Sequence, residues 1–406
     1  TQDNSQITIV PTANLINGNT AGNSINIVLN KGELYQVKSN DPLTGSQVYS
    51  TNGKVFSVFA GVVCANVPWD KGYCNHLVEQ MYPVNTWRNS YVVVPLATKT
   101  GGSIYRVVAL RDNTDLYVDG NYWTTINARQ CRDTILTNPA KVTSNRQISI
   151  AEFCTGSEFD LVGNSDPFMI MLSPLDQTRK DITFHAFEFP TINQSYLNVV
   201  ARTAFVDQIS LNGNPSGNFF YSLPSDPSLA YAQIPIPSGV NRLVTTADTG
   251  FNAYVYGFGS ADGYGYSAGV SLDPLTIDLI SQNVCAGKEV HFGVKSLPFA
   301  ISSYSWNFGD DSTSTEASPH HVYSNPGYYK VKLKVRYTTG DLDSAEVNVG
   351  ISAIYSNFTY TGAGCNNFDI ECTDKSTVFV DNKNRIIWDF GDGIGAIGPT
   401  TAHKYA

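Results

Sequence analysis

The sequence predicts an all-β chain of several domains. Three observations carry that reading: helical periodicity is nearly absent, Asn-Gly and Asp-Gly steps recur between short alternating runs, and charge is sparse while aromatics are abundant. The steps are Asn17-Gly18, Asn52-Gly53, Asp119-Gly120, Asn212-Gly213, Asp262-Gly263 and Asp392-Gly393. Between β-branched and aromatic runs such dipeptides mark hairpins, because both residues accept the positive φ of a tight turn. At 406 residues the chain exceeds one hydrophobic core, so two to four domains are expected.

The elements follow in order. Residues 75–82 form the one candidate helix. Ile104 to Leu110 reads as a half- or fully buried strand, and Leu116 to Trp123 as a hairpin closed by Asp119-Gly120. A faint repeat runs through the first 270 residues: 32–37 with 55–61, 156–162 with 168–172, and 239–244 with 251–257. It predicts two or three β-modules packed side by side. The Gly- and Tyr-rich stretch 256–266 closes the region, as a tight turn that packs aromatics rather than a flexible loop. A Pro-containing linker follows over 271–278.

Composition bounds the function. Only 15% of residues are charged and the net charge is −9, which argues against nucleic acid or an anionic membrane, since phosphate binding needs a clustered positive field. No run of 18 apolar residues exists, so no membrane insertion is expected. The seven cysteines lack CxxC or Cys/His zinc spacing and are spaced as local pairs: Cys64 with Cys74, Cys131 with Cys154, Cys365 with Cys372, leaving Cys285 odd. Disulfides imply an exported protein, and the first pair stabilises by about 3 kcal/mol in the chain-entropy model.

Two resemblances sharpen this. Trp306-Asn307-Phe308-Gly309-Asp310-Asp311, then Pro319-His320-His321-Val322-Tyr323, then Gly327-Tyr328-Tyr329-Lys330-Val331 and its continuation to Val335 resemble the PKD domain, an immunoglobulin-like β-sandwich, over 279–351. Its last strand alternates as a solvated sandwich strand should, with Tyr329, Val331, Leu333 and Val335 inward and Lys330, Lys332, Lys334 and Arg336 outward. A second copy over 353–406 carries Trp388-Asp389-Phe390-Gly391-Asp392-Gly393 and His403-Lys404-Tyr405. It stops before the Gly-Tyr-x-Val strand, as expected of a truncated domain in a longer polypeptide. Residues 1–270 resemble the N-terminal region of the IgG-Fc-binding protein family, through the run from Cys74 to Pro83, Trp87, and Tyr91-Val92-Val93-Val94-Pro95. That family usually has Gly after the Trp, where Arg88 stands here.

The fold expected is therefore an array of β-sandwich-like modules followed by immunoglobulin-like sandwiches. The resemblances imply an extracellular, cell-surface adhesin fragment of the kind found in gliding Bacteroidetes, whose first region binds a glycan or a cell-surface protein while the PKD domains form a stalk. Two alternatives are a structural module of a giant surface filament and a non-catalytic targeting part of a secreted polysaccharide-degrading enzyme. Gly-x-Ser-x-Gly, His-Glu-x-x-His and phosphate-loop motifs are absent, so no catalysis and no cofactor are expected.

The candidate site residues are few. Tyr122, Trp123, Tyr264 and Tyr266 lie at turns, where aromatic faces can stack on sugar rings. Asp310, Asp311, Asp389 and Asp392 lie in Gly-marked turns that are candidates for calcium, though such Asp residues more often cap their own backbone. His76 and Glu79 share a face if 75–82 is helical, but no third ligand follows them.

Overall fold

The computed structural model describes residues 2–160, 165–270, 276–280, 285–295, 301–337, 342–362, 369–379 and 386–405. The chain divides into two compact units, Thr1–Asp273 and Pro274–Ala406. Both are built from antiparallel strands, as the sequence predicts. The proposed linker falls mainly on residues 271–275, which lie outside the described residues.

In the first unit three sheets make the two largest cores, which share one sheet. The shared sheet runs Phe220–Leu223, Asp226–Ile236, Ile192–Arg202, Asn252–Gly259, Asp262–Gly269. Every residue of Asn252–Gly259 is buried. Alternation along a strand sends successive side chains to opposite faces. Tyr254, Tyr256 and Phe258 therefore join one core, while Ala253 and Val255 join the other. The first core also takes Tyr105, Val107, Leu116, Val142, Ile148 and Ile150 from a seven-stranded sheet. The second takes Ile182, Phe184 and Leu243 from a four-stranded sheet.

Two or three side-by-side modules were expected, and the two largest cores found share a sheet. Of the six segments assigned to a repeat, 32–37 holds no strand, and 156–162 opens a one-turn helix at Ser157–Asp160. A residue pattern that recurs by composition does not fix pairing when one sheet must serve two layers.

Hairpin chemistry is reproduced where two residues close the loop. Asp119 (φ 50°) and Gly120 (φ 77°) join Thr114–Val118 to Asn121–Ile126, and Asn212 (φ 53°) and Gly213 (φ 81°) join Ile209–Leu211 to Asn214–Pro215. Such doubly positive turns match strand twist. At Asp262-Gly263 the structure differs. The turn lies two residues earlier, at Ser260 and Ala261 (φ 53°), and Asp262-Gly263 begins the returning strand. The glycines here answer packing instead. A Cβ on Gly265 would lie 2.3 Å from the Phe168 ring, and one on Gly257 would lie 2.4 Å from the ring of Tyr264, its cross-strand partner.

The segment expected to be a helix is a strand, Asn75–Gln80, paired with Phe59–Ala65. Cys64 and Cys74 form the predicted disulfide, which closes the loop between these strands. Leu77 is buried while His76 and Val78 are exposed, a period of two rather than 3.6. His76 and Glu79, three apart, thus lie on opposite faces and form no pair.

The second predicted disulfide does not form. Cys131 and Cys154 are free, one exposed and one buried. Cys131 opens Cys131–Leu136, opposite Val108 of Ser103–Ala109; Cys154 follows Phe153, which faces Ile104 on the other side of that strand. Two strand spacings, about 9–10 Å, and several residues of stagger separate them, beyond disulfide reach. Burial pushes the Cys154 thiol up to about 12, so it is chemically quiet. Alkylation of the native chain followed by mass spectrometry is expected to modify Cys131 and to reach Cys154 only after unfolding. Protection of both until reduction would restore the disulfide. Cys365 lies outside the described residues; Cys372 is buried and Cys285 exposed.

The second unit holds one sandwich with Val290, Phe292, Trp306, Phe308, Tyr323, Val331, Leu333 and Val335 in its core. The inward alternation of Val331, Leu333 and Val335 is as predicted. Around its Gly-marked turn, the Trp306 indole N–H donates to Glu316 O (2.9 Å), the Tyr323 hydroxyl donates to Phe308 O (3.0 Å), and the His321 ring stacks on Phe308 at 4.3 Å. The second copy repeats these contacts: Trp388 donates to Gly398 O (2.8 Å), Tyr405 to Phe390 O (2.9 Å), and His403 stacks on Phe390 at 4.2 Å.

Candidate binding surfaces

The two Gly-marked turns show how their carboxylates are used. Asp310 Oδ1 accepts the Ser312 amide (3.1 Å) and Oδ2 meets His321 Nε2 (2.7 Å); Asp392 accepts the Ile394 amide (3.0 Å) and meets His403 Nε2 (2.8 Å). Desolvation raises the Asp310 carboxyl, but the His321 and Ser312 contacts outweigh it and hold the group below its ordinary value. The Ile394 amide, against desolvation and with help from His403, does the same for Asp392. Asp389 accepts the Gly391 amide (3.0 Å). Asp311 is exposed, at φ 70°. These are capped turns braced by histidine, and among the described residues no set of three metal-ligating side chains gathers at either.

The aromatic candidates separate into two places. Tyr264 and Tyr266 stack at 6.3 Å on Asp262–Gly269. Each hydroxyl is tied to the segment after Asp181–Ala186 or its end: Tyr266 donates to His185 O (2.7 Å), while Tyr264 accepts the Phe187 amide (3.2 Å) and lies 2.9 Å from Ser195 Oγ. Burial raises both phenols above their ordinary value. Their work is therefore to hold Phe187, which packs edge-on to Tyr264 at 4.8 Å and against Phe189 at 5.7 Å. Phe187 and Phe189 remain 39% and 53% exposed and line a cleft of about 610 Å³ with Pro190, Asn193, Gln194 and Pro237. The sequence does not single out Phe187 and Phe189, because nothing in the Phe187-Glu188-Phe189-Pro190 run marks its phenyl rings as exposed.

Tyr122 and Trp123 lie on the Asn121–Ile126 strand of the seven-stranded sheet, apart from Tyr264 and Tyr266. Tyr122 is exposed, packs edge-on to Tyr117 at 5.9 Å, and its hydroxyl meets Thr125 Oγ1 at 2.9 Å. Trp123 is half-buried against the first core.

A further set of exposed apolar side chains lies on the disulfide-closed hairpin. Register puts Phe59 opposite Gln80 and Gly61 opposite Val78, so Phe59, Gly61 and Val78 share the outward face, and the ladder shifts between Val62 and Ala65, where Val63 lies. Phe59, Val63 and Val78 are 65%, 86% and 54% exposed, and Trp69 and Tyr73 at the tip are 87% and 66% exposed. Leu77 and Glu79 occupy the inward face, where desolvation, opposed by a hydrogen bond from the Gln80 amide, raises Glu79 to about 7. At the hairpin's base Arg88 is buried, its Nε on Asp176 Oδ2 (3.1 Å) and its Nη1 donating to Asn85 O (3.0 Å) and Trp87 O (2.9 Å). The residue that departs from the family pattern is thus a brace for the turn beneath the hairpin.

Comparison with known proteins places these surfaces. Residues 1–257 match the family described as IgGFc binding protein, and residues 274–351 match the PKD domain. The human IgGFc-binding protein is 25% identical over 253 residues, 61% of this chain and 4% of that protein. Collagenase ColA of Bacillus cereus is 42% identical over 67 residues, 16% of this chain and 7% of the enzyme. The chain therefore spans less than a tenth of the length of these relatives. An apo lectin of Pleurotus ostreatus is similar over 46% of this chain and 77% of its own at 11% identity, with a TM-score of 0.15, too low to bear on fold or function.

Proposed function

From the premise that this chain belongs to the IgGFc-binding protein family, we propose that it is a non-catalytic adhesive module whose disulfide-closed hairpin docks on an extracellular protein. Both domain types it contains are typical of extracellular proteins. The observation that carries the reading is the set of exposed apolar side chains Phe59, Val63 and Val78 with Trp69 and Tyr73 at the tip, on a ribbon closed by a covalent bridge. Exposed apolar clusters on a fixed backbone mark protein-docking sites, and aromatic anchors at the centre of such sites carry most of the affinity. The PKD sandwiches serve as spacer in this reading, with residues 353–406 as a second such domain.

A second reading has its own observation: the exposed pair Phe187 and Phe189 beside Asn193 and Gln194 suits a sugar, whose apolar face stacks while amides bond its hydroxyls. One experiment separates them. The full chain is passed over immobilised IgG Fc, over Fc stripped of its glycan, and across a glycan array. Binding that survives deglycosylation and falls at least tenfold in Val63→Ser/Trp69→Ser supports the hairpin. Binding lost with the glycan, or found on the array and abolished by Phe187→Ala/Phe189→Ala, supports the cleft instead. A folded chain that binds none of the three overturns both readings.

A further inference from the structure

Among the described residues one set of three metal-ligating side chains converges, and it lies outside every surface discussed above: Glu289, His291 and His320 on the PKD sandwich. Strand Glu289–Lys295 pairs antiparallel with His320–Val322, with His291 opposite His320, Val290 opposite His321 and Glu289 opposite Val322. Val290 is fully buried and His321 stacks on Phe308 inside, so alternation fixes Glu289, His291 and His320 together on the outer face. The two imidazoles meet edge-on at 4.0 Å, and His291 Nε2 lies 3.8 Å from Glu289 Oε2. The three ligand atoms all fall within 4.8 Å of one another.

We propose that Glu289, His291 and His320 form a binding site for a divalent first-row transition metal, Zn²⁺ in the first instance. Two imidazoles and a carboxylate are the donor set that suits zinc, while the two nitrogens disfavour calcium and magnesium. Around a tetrahedral ion with bonds of about 2.0–2.1 Å, donor atoms sit roughly 3.3–3.5 Å apart, so the cluster closes by small side-chain rotations. Those rotations are open to it, because Glu289 and His320 are exposed and His291 is half-buried. The backbone carrying them is held by a sheet whose other face is packed core, which limits the reorganisation that binding requires. A fourth position remains open for water or for a ligand from another molecule. The sequence hides the site, because its third ligand stands on another strand far from the Glu-x-His step, joined only by the register of the pair.

The test is titration of the full chain with Zn²⁺ by calorimetry, repeated with Co²⁺ to read the visible d–d absorption of a nitrogen-ligated tetrahedral ion. Expected are a tight site in the native chain, at least tenfold weaker binding in His291→Ala and in His320→Ala, a smaller loss in Glu289→Gln, and no tetrahedral cobalt spectrum in the double histidine variant. All three positions are on the surface, so the variants fold as the parent, which circular dichroism verifies. Zinc affinity within twofold of the parent in the double variant, or no binding by the parent, overturns the site.

Discussion

Replacing Lys99 by Met is expected to destabilise the first unit by about 3–5 kcal/mol, the cost of leaving its buried partner uncompensated. Lys99 Nζ lies 2.7 Å from Asp160 Oδ2, and the two side chains are 4% and 0% exposed. The ammonium has three donors and three acceptors: Asp160, the Thr155 carbonyl (2.7 Å) and Ser165 Oγ. Asp160 in turn accepts the Gly101 amide (2.7 Å) and the Thr155 hydroxyl (2.8 Å). The network pins the loop after Pro95 to the single helical turn and to Ser165, three irregular segments with no ladder to hold them. Thermal unfolding should fall by about 10 °C in Lys99→Met. The double variant Lys99→Met/Asp160→Leu should lose less than the sum of the single changes, because removing both charges leaves no ion buried alone. Additive losses would show that the two residues do not act as a pair.

The second large effect depends on pH. Glu152 is 2% exposed, and Tyr105, itself fully buried, donates its hydroxyl to Glu152 Oε1 at 2.8 Å. Desolvation, opposed by hydrogen bonds from Ser103 and Tyr105, raises its pKa from 4.5 to about 7. The folded state then holds a proton that the unfolded chain releases, so stability is highest below pH 4.5 for this group. It falls as pH rises toward 7 and is level above that. The difference amounts to about 3 kcal/mol. Glu152→Gln keeps an acceptor for Tyr105 and carries no charge. It should match the parent near pH 4.5 and exceed it by about 3 kcal/mol at pH 8 in urea unfolding. Parallel pH profiles for the two proteins would mean that Glu152 is ionised in the folded state.

Both effects lie on groups that sequence reasoning passed over. Lys99, Glu152 and Asp160 carry no motif: Lys99 stands between two threonines, and Glu152 and Asp160 are single carboxylates flanked by apolar residues, with no partner beside them in the chain. The signal arises only when sheets stack: Glu152 is on the face of its strand that meets the layer carrying Tyr256. The candidate site shows the same division. The Cys64–Cys74 bridge was legible from spacing, because a ten-residue loop between strands leaves few other partners. That the segment after it is a strand with an outward apolar face was not. Asn75 to Gln80 offers too few residues for a period of two to stand out against 3.6.

The sequence by itself determined the β class, the two-residue hairpins at Asp119-Gly120 and Asn212-Gly213, and the inward alternation of Val331, Leu333 and Val335, while its resemblance to the PKD domain implied the sandwich. The hairpins and the alternation rest on local geometry: positive φ at a turn and alternation along one strand act within a few residues and need no partner. Tertiary structure alone decided that Asn252–Gly259 serves two cores, that Cys131 and Cys154 stay apart across Ser103–Ala109, and that Glu289 and His291 meet His320. Each of these is a matter of which strand lies beside which and in what register, and that is chosen by burying apolar faces over distances the local pattern does not encode.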